Sequence, residues 1–111
     1  MQLSFEFTGN ESTYQYRIML NNHGREVQTL NIKLVYQDMH GFQEVYIKDD
    51  SGNIKTFVLP PRQSSHFFGN FTVHQSTIDG QGGGHSVFTV VLVNEYEQHS
   101  PNFLVRRPIM P

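Results

Sequence analysis

The 111-residue chain contains no cysteine and no tryptophan, and the printed sequence shows no alanine. Without cysteine there is no disulfide framework, no thiolate-held zinc or iron–sulfur cluster and no thiol nucleophile. Without alanine, and with many aromatic and β-branched residues, the chain is a poor candidate for a helical bundle. Charge is scarce as well. Charged residues make up 16% and the formal net charge is −2, against a usual charged share of about 25%. That balance provides neither a basic footprint for nucleic acid nor an acidic tail, and it gives little attraction to phosphates or anionic membranes. The longest nearly apolar run, Val87 to Val93, is far short of the ~20 residues of a membrane helix. Membrane insertion is therefore not expected. The opening Met1-Gln2-Leu3-Ser4-Phe5-Glu6 lacks the basic n-region and long apolar stretch of a signal peptide.

What the chain does contain is alternation. Leu3, Phe5 and Phe7 alternate with polar residues, as do Tyr14, Tyr16, Ile18 and Leu20. Leu30, Ile32, Leu34 and Tyr36 follow, then Val45 and Ile47, Phe57 and Leu59, Phe67 to Val73, and Phe88, Val90 and Leu92. A period of two residues is the signature of strands with one buried face. Turn residues separate the runs. Asp49-Asp50-Ser51-Gly52-Asn53 reads as a tight hairpin with Gly52 at positive φ, and Pro60-Pro61 ends the strand before it. The pattern predicts one domain over residues 1–111, an antiparallel β-sandwich of about seven to eight strands, jelly-roll or immunoglobulin-like. Ile32, Leu34, Phe57, Leu59, Phe71, Val90 and Leu92 should form its core. The ends, about 1–12 and 99–111, read as extensions.

Candidate chemistry is sparse. The six histidines, His23, His40, His66, His74, His85 and His99, show no metal-ligand spacing, and no metal or cofactor is expected. Asp49-x-Ser51-x-Asn53 superficially resembles a calcium loop, but Gly52 is fourth in it and Pro60 twelfth, where a calcium loop needs glycine sixth and an acidic residue twelfth. Gly80–Gly84 lacks the lysine and hydroxyl of a phosphate loop. Glu95 and Glu97 flank Tyr96 on one expected strand face, but no nucleophile elbow or triad signature accompanies them. Asn10-Glu11-Ser12 and Asn70-Phe71-Thr72 fit the glycosylation sequon, a match that chance supplies easily in a chain so rich in asparagine and hydroxyl residues. No catalytic residue is expected.

Two features stand out. Val87, Val91 and Val93 oppose Phe88, Val90 and Leu92 on one strand, and Phe67 adjoins Phe68. A sandwich strand needs only one buried face, so the second apolar face requires cover from the chain's own ends or from another subunit. The solvent-facing positions also favour amides over charge, with nine Gln and eight Asn in the sequence. Low charge along β-rich sequence is what monomeric sheets usually avoid.

The stretch Leu59-Pro60-Pro61-Arg62-Gln63-Ser64-Ser65 is followed by an aromatic strand through Phe67–Val73, a glycine-rich hairpin at Gly80–Gly84 and a last strand from Val87 to Tyr96. In that order, residues 30 to 97 resemble the jelly-roll subunits of bacterial endospore appendages. The resemblance implies a structural subunit whose extended terminus docks on the next copy, at an extracellular, particle or spore surface and without a secretory signal. Those subunits cross-link through N-terminal cysteines, which this chain lacks.

The reading is a non-enzymatic, self-assembling β-sandwich that associates with itself by strand complementation and apolar face packing. The expected interface comprises Leu3, Phe5 and Phe7 at one end, Phe103, Leu104 and Val105 at the other, and Phe68, Val87, Val91 and Val93 between them. The alternative is a carbohydrate-binding module using Tyr46, Tyr96, Asn94 and Gln98 to hold a glycan.

Overall fold

The computed structural model describes residues 2–10, 12–38, 40–73 and 87–106. Eight strands follow one another: β1 (Gln2–Asn10), β2 (Thr13–Asn22), β3 (Gln28–Asp38), β4 (Gly41–Tyr46), β5 (Phe57–Leu59), β6 (Gln63–Thr72), β7 (Val87–Asn94) and β8 (Phe103–Arg106). No helix occurs among the described residues. One sheet has the order β1-β2-β6. The other has the order β4-β3-β7-β8, with β5 added beside β3. Every pairing is antiparallel. The two sheets bury their facing rows in one core, so the chain is an antiparallel β-sandwich.

The connectivity selects between the two sandwiches compatible with the sequence. Successive strands of a jelly roll cross between sheets. Here β1 and β2, β3 and β4, and β7 and β8 are partners within one sheet. A three-strand layer facing a five-strand layer, with β2 joined to β6 and β3 to β7, is an immunoglobulin-like arrangement.

Alternation determines which rows face inward. The burial of β2 runs strictly exposed then buried from Thr13 to Ile18, and all seven residues expected in the core are buried. Phe88 of β7 lies at the centre. Its ring meets Phe7 of β1 at 4.9 Å, Phe71 of β6 at 5.3 Å, Tyr14 of β2 at 5.4 Å and Tyr36 of β3 at 5.9 Å, all edge to face. Three of those partners belong to the opposite sheet. Edge-to-face contacts at this spacing place the positive rim of one ring on the negative face of another, and each adds about 0.5–1.5 kcal/mol beyond area burial. A second contact, Phe57 on Phe67 at 4.8 Å, joins β5 to β6.

The first segment corrects the sequence reading. Residues 2–10 are not an extension. They pair with β2 over their whole length, and Phe5 and Phe7 are 8% and 1% exposed. The reason is local. Gly9, with φ of 138°, lies within β1, and since Asn10 pairs with Thr13 only residues 11 and 12 separate β1 from β2; closing so short a loop costs little entropy. A Cβ at Gly9 would run into the Thr13 carbonyl and the Tyr14 backbone. The C-terminal Phe103–Arg106 is likewise a paired strand, against β7. The hairpin at Asp49 forms as expected: Gly52 has φ of 85°, and the Asp49 carboxylate accepts from the backbone N–H groups of Ser51 and Asn53.

Truncating Phe88 to alanine should cost about 3–5 kcal/mol by lost burial and a residual cavity, read as a lowered denaturant midpoint. Phe42→Ala, on a ring that is 76% exposed, should shift stability by under about 0.5 kcal/mol.

Candidate functional site

The residues expected at an assembly interface separate into two groups. Phe5 and Phe7 are core, and Leu3, Phe103 and Val105 are half-buried and packed against it. Val91 and Val93 are each 5% exposed, and Val87 is half-buried. Phe68 at 64% and Leu104 at 60% remain exposed.

The second apolar face of β7 is closed by the chain itself, which removes Val91 and Val93 from any accessible surface. Across the ladder Val91 lies beside Lys33, and Val93 beside Asn31. Lys33 is itself buried. Its ammonium reaches the Glu44 carboxylate at 3.4 Å, so the aliphatic stem covers apolar surface while the charge stays at the rim. On the other side Val93 bridges His99. The Ser100 N–H donates to the Leu92 carbonyl at 2.8 Å, and the Leu92 N–H donates to the Ser100 hydroxyl at 2.9 Å. Phe42 and Leu104 remain exposed, but on β4 and β8, at opposite ends of that sheet.

The three-strand sheet is different. Its inner row is core, and its outer row is open. Register places Gln2, Asn21 and Ser64 in one line across the strands, Ser4, Met19 and His66 in the next, then Glu6, Arg17 and Phe68, then Thr8, Gln15 and Asn70. Arg17 lies 3.9 Å from the Glu6 carboxylate, and its guanidinium sits over the Phe68 ring at 5.7 Å. Both charged side chains are about two-thirds exposed, so the ion pair contributes only about 0–1 kcal/mol. Among the described residues β6 has one strand partner, β2, and it borders this face.

The other candidate groups do not converge. His66 lies on β6 and His23, His40 and His99 in three different connections between strands, and His74 and His85 fall outside the described residues, as do residues 80–84. Glu95 and Glu97 belong to a turn rather than a strand. Asn94 and Gln98 spend their side chains within that turn. The Asn94 amide donates to the Gln98 side-chain carbonyl, and the Asn94 side-chain oxygen accepts from the N–H groups of Tyr96 and Gln98. Tyr96 is exposed beside them, while Tyr46 lies on β4, two strands away from β7. Asp38, at the end of β3, is the one buried carboxylate among the described residues. One of its oxygens accepts from the His40 N–H at 2.8 Å, and the other has no partner.

Asn22, at the end of β2, is 2% exposed, and sequence reasoning missed it. Its amide donates to the carbonyls of Glu26, Leu59 and Pro60, and its side-chain oxygen accepts from the Gly24 N–H. It ties one sheet to the end of β5 in the other. In sequence it is indistinguishable from an ordinary turn asparagine.

Tyr16 titrates above the ordinary tyrosine value of 10.0, first because burial disfavours the phenolate and second because the negative charge of Asp50 does so too. Below pH 10 both folded and unfolded states hold the proton. As pH rises past 10 the unfolded state releases it first, so stability falls. Tyr16→Phe should therefore lessen the alkaline loss of stability above pH 10, measured by chemical denaturation at several pH values.

No family model matches the chain, and no curated protein does. Among solved structures, the fold is similar to a structural-genomics target designated SoR45, at 17% identity and a TM-score of 0.46, covering 96% of this chain and 85% of that one. It is also similar to a Bordetella pertussis protein designated ApaA, at 14% identity and a TM-score of 0.45, covering 98% of this chain and 96% of that one.

Proposed function

We propose that this β-sandwich is a non-enzymatic structural module that associates with copies of itself, and that it does so through the outer edge of β6. The observation that carries the reading is the composition of that edge. β6 is ten residues long, Gln-Ser-Ser-His-Phe-Phe-Gly-Asn-Phe-Thr, with no lysine, arginine, aspartate, glutamate or proline. Among the described residues the outer N–H and C=O groups of this edge have no strand partner; such an edge is a template for another strand, and the strand carries no charge or proline to guard it. The other edges are guarded: β1 carries Glu6, β4 is six residues long with Glu44, β5 is three residues long and followed by Pro60, and β8 is four residues long and ends in Arg106.

Strand parity restricts how two copies can meet. Directly opposed residues of an antiparallel pair point to the same face. In a symmetric β6–β6 pair, core-facing residues must oppose core-facing residues, so a slip by one residue is forbidden. Centring the pair on Phe68 sets Phe68 against its own copy, His66 against Asn70 and Ser64 against Thr72. The result is one six-stranded sheet running through two molecules. Each cross-strand pair contributes only about 0.2–1 kcal/mol, so association depends on concentration. This differs from the donor-terminus scheme read from the sequence, because the first segment is already paired within its own chain.

Sedimentation of the wild type over a concentration series should show reversible dimers. Phe68→Lys, a change on an exposed side chain, should give monomers with an unchanged β-rich spectrum. A wild type that stays monomeric throughout, or a Phe68→Lys variant that dimerises as tightly, overturns the reading.

A further inference from the structure

We infer that the outer face of the β1-β2-β6 sheet is a binding site for a neutral oligosaccharide, held across the strands at Glu6, Arg17 and Phe68. The inference concerns the face of the sheet rather than the backbone edge of β6; the two share Phe68, but the site does not depend on self-association.

Three observations carry it. The first is the geometry of the central row. Register brings Glu6, Arg17 and Phe68 side by side on three neighbouring strands, spaced at about 4.8 Å per strand. That spacing is close to the length of one pyranose residue, so a chain laid across the strands sets successive rings over successive side chains. Two open depressions, of about 220 and 250 Å³, lie on either side of the row. Gln15 lines one and His66 the other, and Arg17 and Phe68 line both.

The second observation is chemical. A sugar offers hydroxyls that both donate and accept, together with a flat apolar face of C–H bonds. The row supplies a matching set: a carboxylate that accepts, a guanidinium with several N–H donors in a fixed fork, and an aromatic ring that is 64% exposed. Arg17 is already oriented, because it rests on Phe68 and faces Glu6. The flanking amides of Gln15 and Asn70 extend the same donor and acceptor pattern into the next row.

The third observation is the charge and polarity of the face, which exclude the other occupants. Its cation is matched by an anion in the same row, so a polyanion gains little there. Phe68 and Met19 are the only large apolar side chains in the five outward rows that the register defines, too few for the apolar centre of a protein interface. A peptide strand would pair at an edge through its backbone and leave the face untouched. Hydroxyl-rich ligands exchange water hydrogen bonds for protein ones at modest net gain, so affinities in the micromolar to millimolar range are expected, about −4 to −8 kcal/mol.

The test is an NMR titration of the full ¹⁵N-labelled chain with cellotriose, xylotriose, mannotriose and chitotriose, each to about 10 mM, a concentration chosen to saturate sites of millimolar affinity. At least one should give saturable shifts on amides of β1, β2 and β6, unchanged by high salt. Arg17→Ala should weaken that binding at least about tenfold. Arg17→Lys should fail to restore it, since lysine keeps the charge without the fork. Leu104→Ser, on the opposite sheet, should bind as the wild type does. Arg17→Ala should also leave the association state unchanged, which separates failure of this site from failure of the β6 edge. The inference is overturned if none of the four sugars gives a saturable shift. It is equally overturned if the shifts map to the five-strand sheet, if high salt abolishes binding, or if Arg17→Ala binds as tightly as the wild type.

Discussion

The sandwich depends on one ring. Phe88 projects from β7 into a cage built by Phe7, Tyr14 and Phe71 from the facing sheet and Tyr36 from its own. A chain with no tryptophan and no disulfide has few ways to lock two sheets at a fixed angle. Aliphatic rows alone provide burial without direction. A ring whose rim meets four other rings provides both, because each neighbour admits a narrow range of tilts. The polar counterpart of this clamp lies near the end of β5. There Asn22 takes backbone carbonyls from beyond β2 and from the end of β5, holding the layers together where the aromatic cage does not reach.

The asymmetry between the sheets follows from this packing. The larger sheet must also cover the outer face of β7, and it does so with its own material: the Lys33 stem on one side and the returning 99–100 segment on the other. Among the described residues the smaller sheet has three strands, and its outer face keeps its side chains in water. Whatever this chain recognises is therefore sought on the smaller sheet, where side chains stand on a rigid platform and their backbone is fixed by ladders on both flanks of β2.

Much of the fold was legible because alternation is a direct projection of three-dimensional burial. Leu30, Ile32, Leu34 and Tyr36 are all inward, as their spacing requires. The partner of each strand was not legible. Leu3, Phe5 and Phe7 carry the same alternation whether they pair within the chain or with a neighbour, and only the short connection between Asn10 and Thr13 decides the matter. The doubly apolar character of Val87 to Val93 was also visible, but its cover was not, since a lysine in sequence reads as a solvated charge rather than as a buried hydrocarbon stem. The row of Glu6, Arg17 and Phe68 was invisible for a similar reason. Its members come from three strands, and lateral register, which no single strand records, brings them together.

Gly69 has a consequence that extends beyond this molecule. It stands opposite Tyr16, and a Cβ there would come within 2.7 Å of the Tyr16 ring, so the tyrosine fills the space left by the missing side chain. The two positions behave as one unit of volume. An alanine at 69 fits only if the residue at 16 shrinks, and a smaller residue at 16 leaves a gap that only a larger one at 69 can close. Across any lineage that keeps this sheet, the pair should change together or not at all.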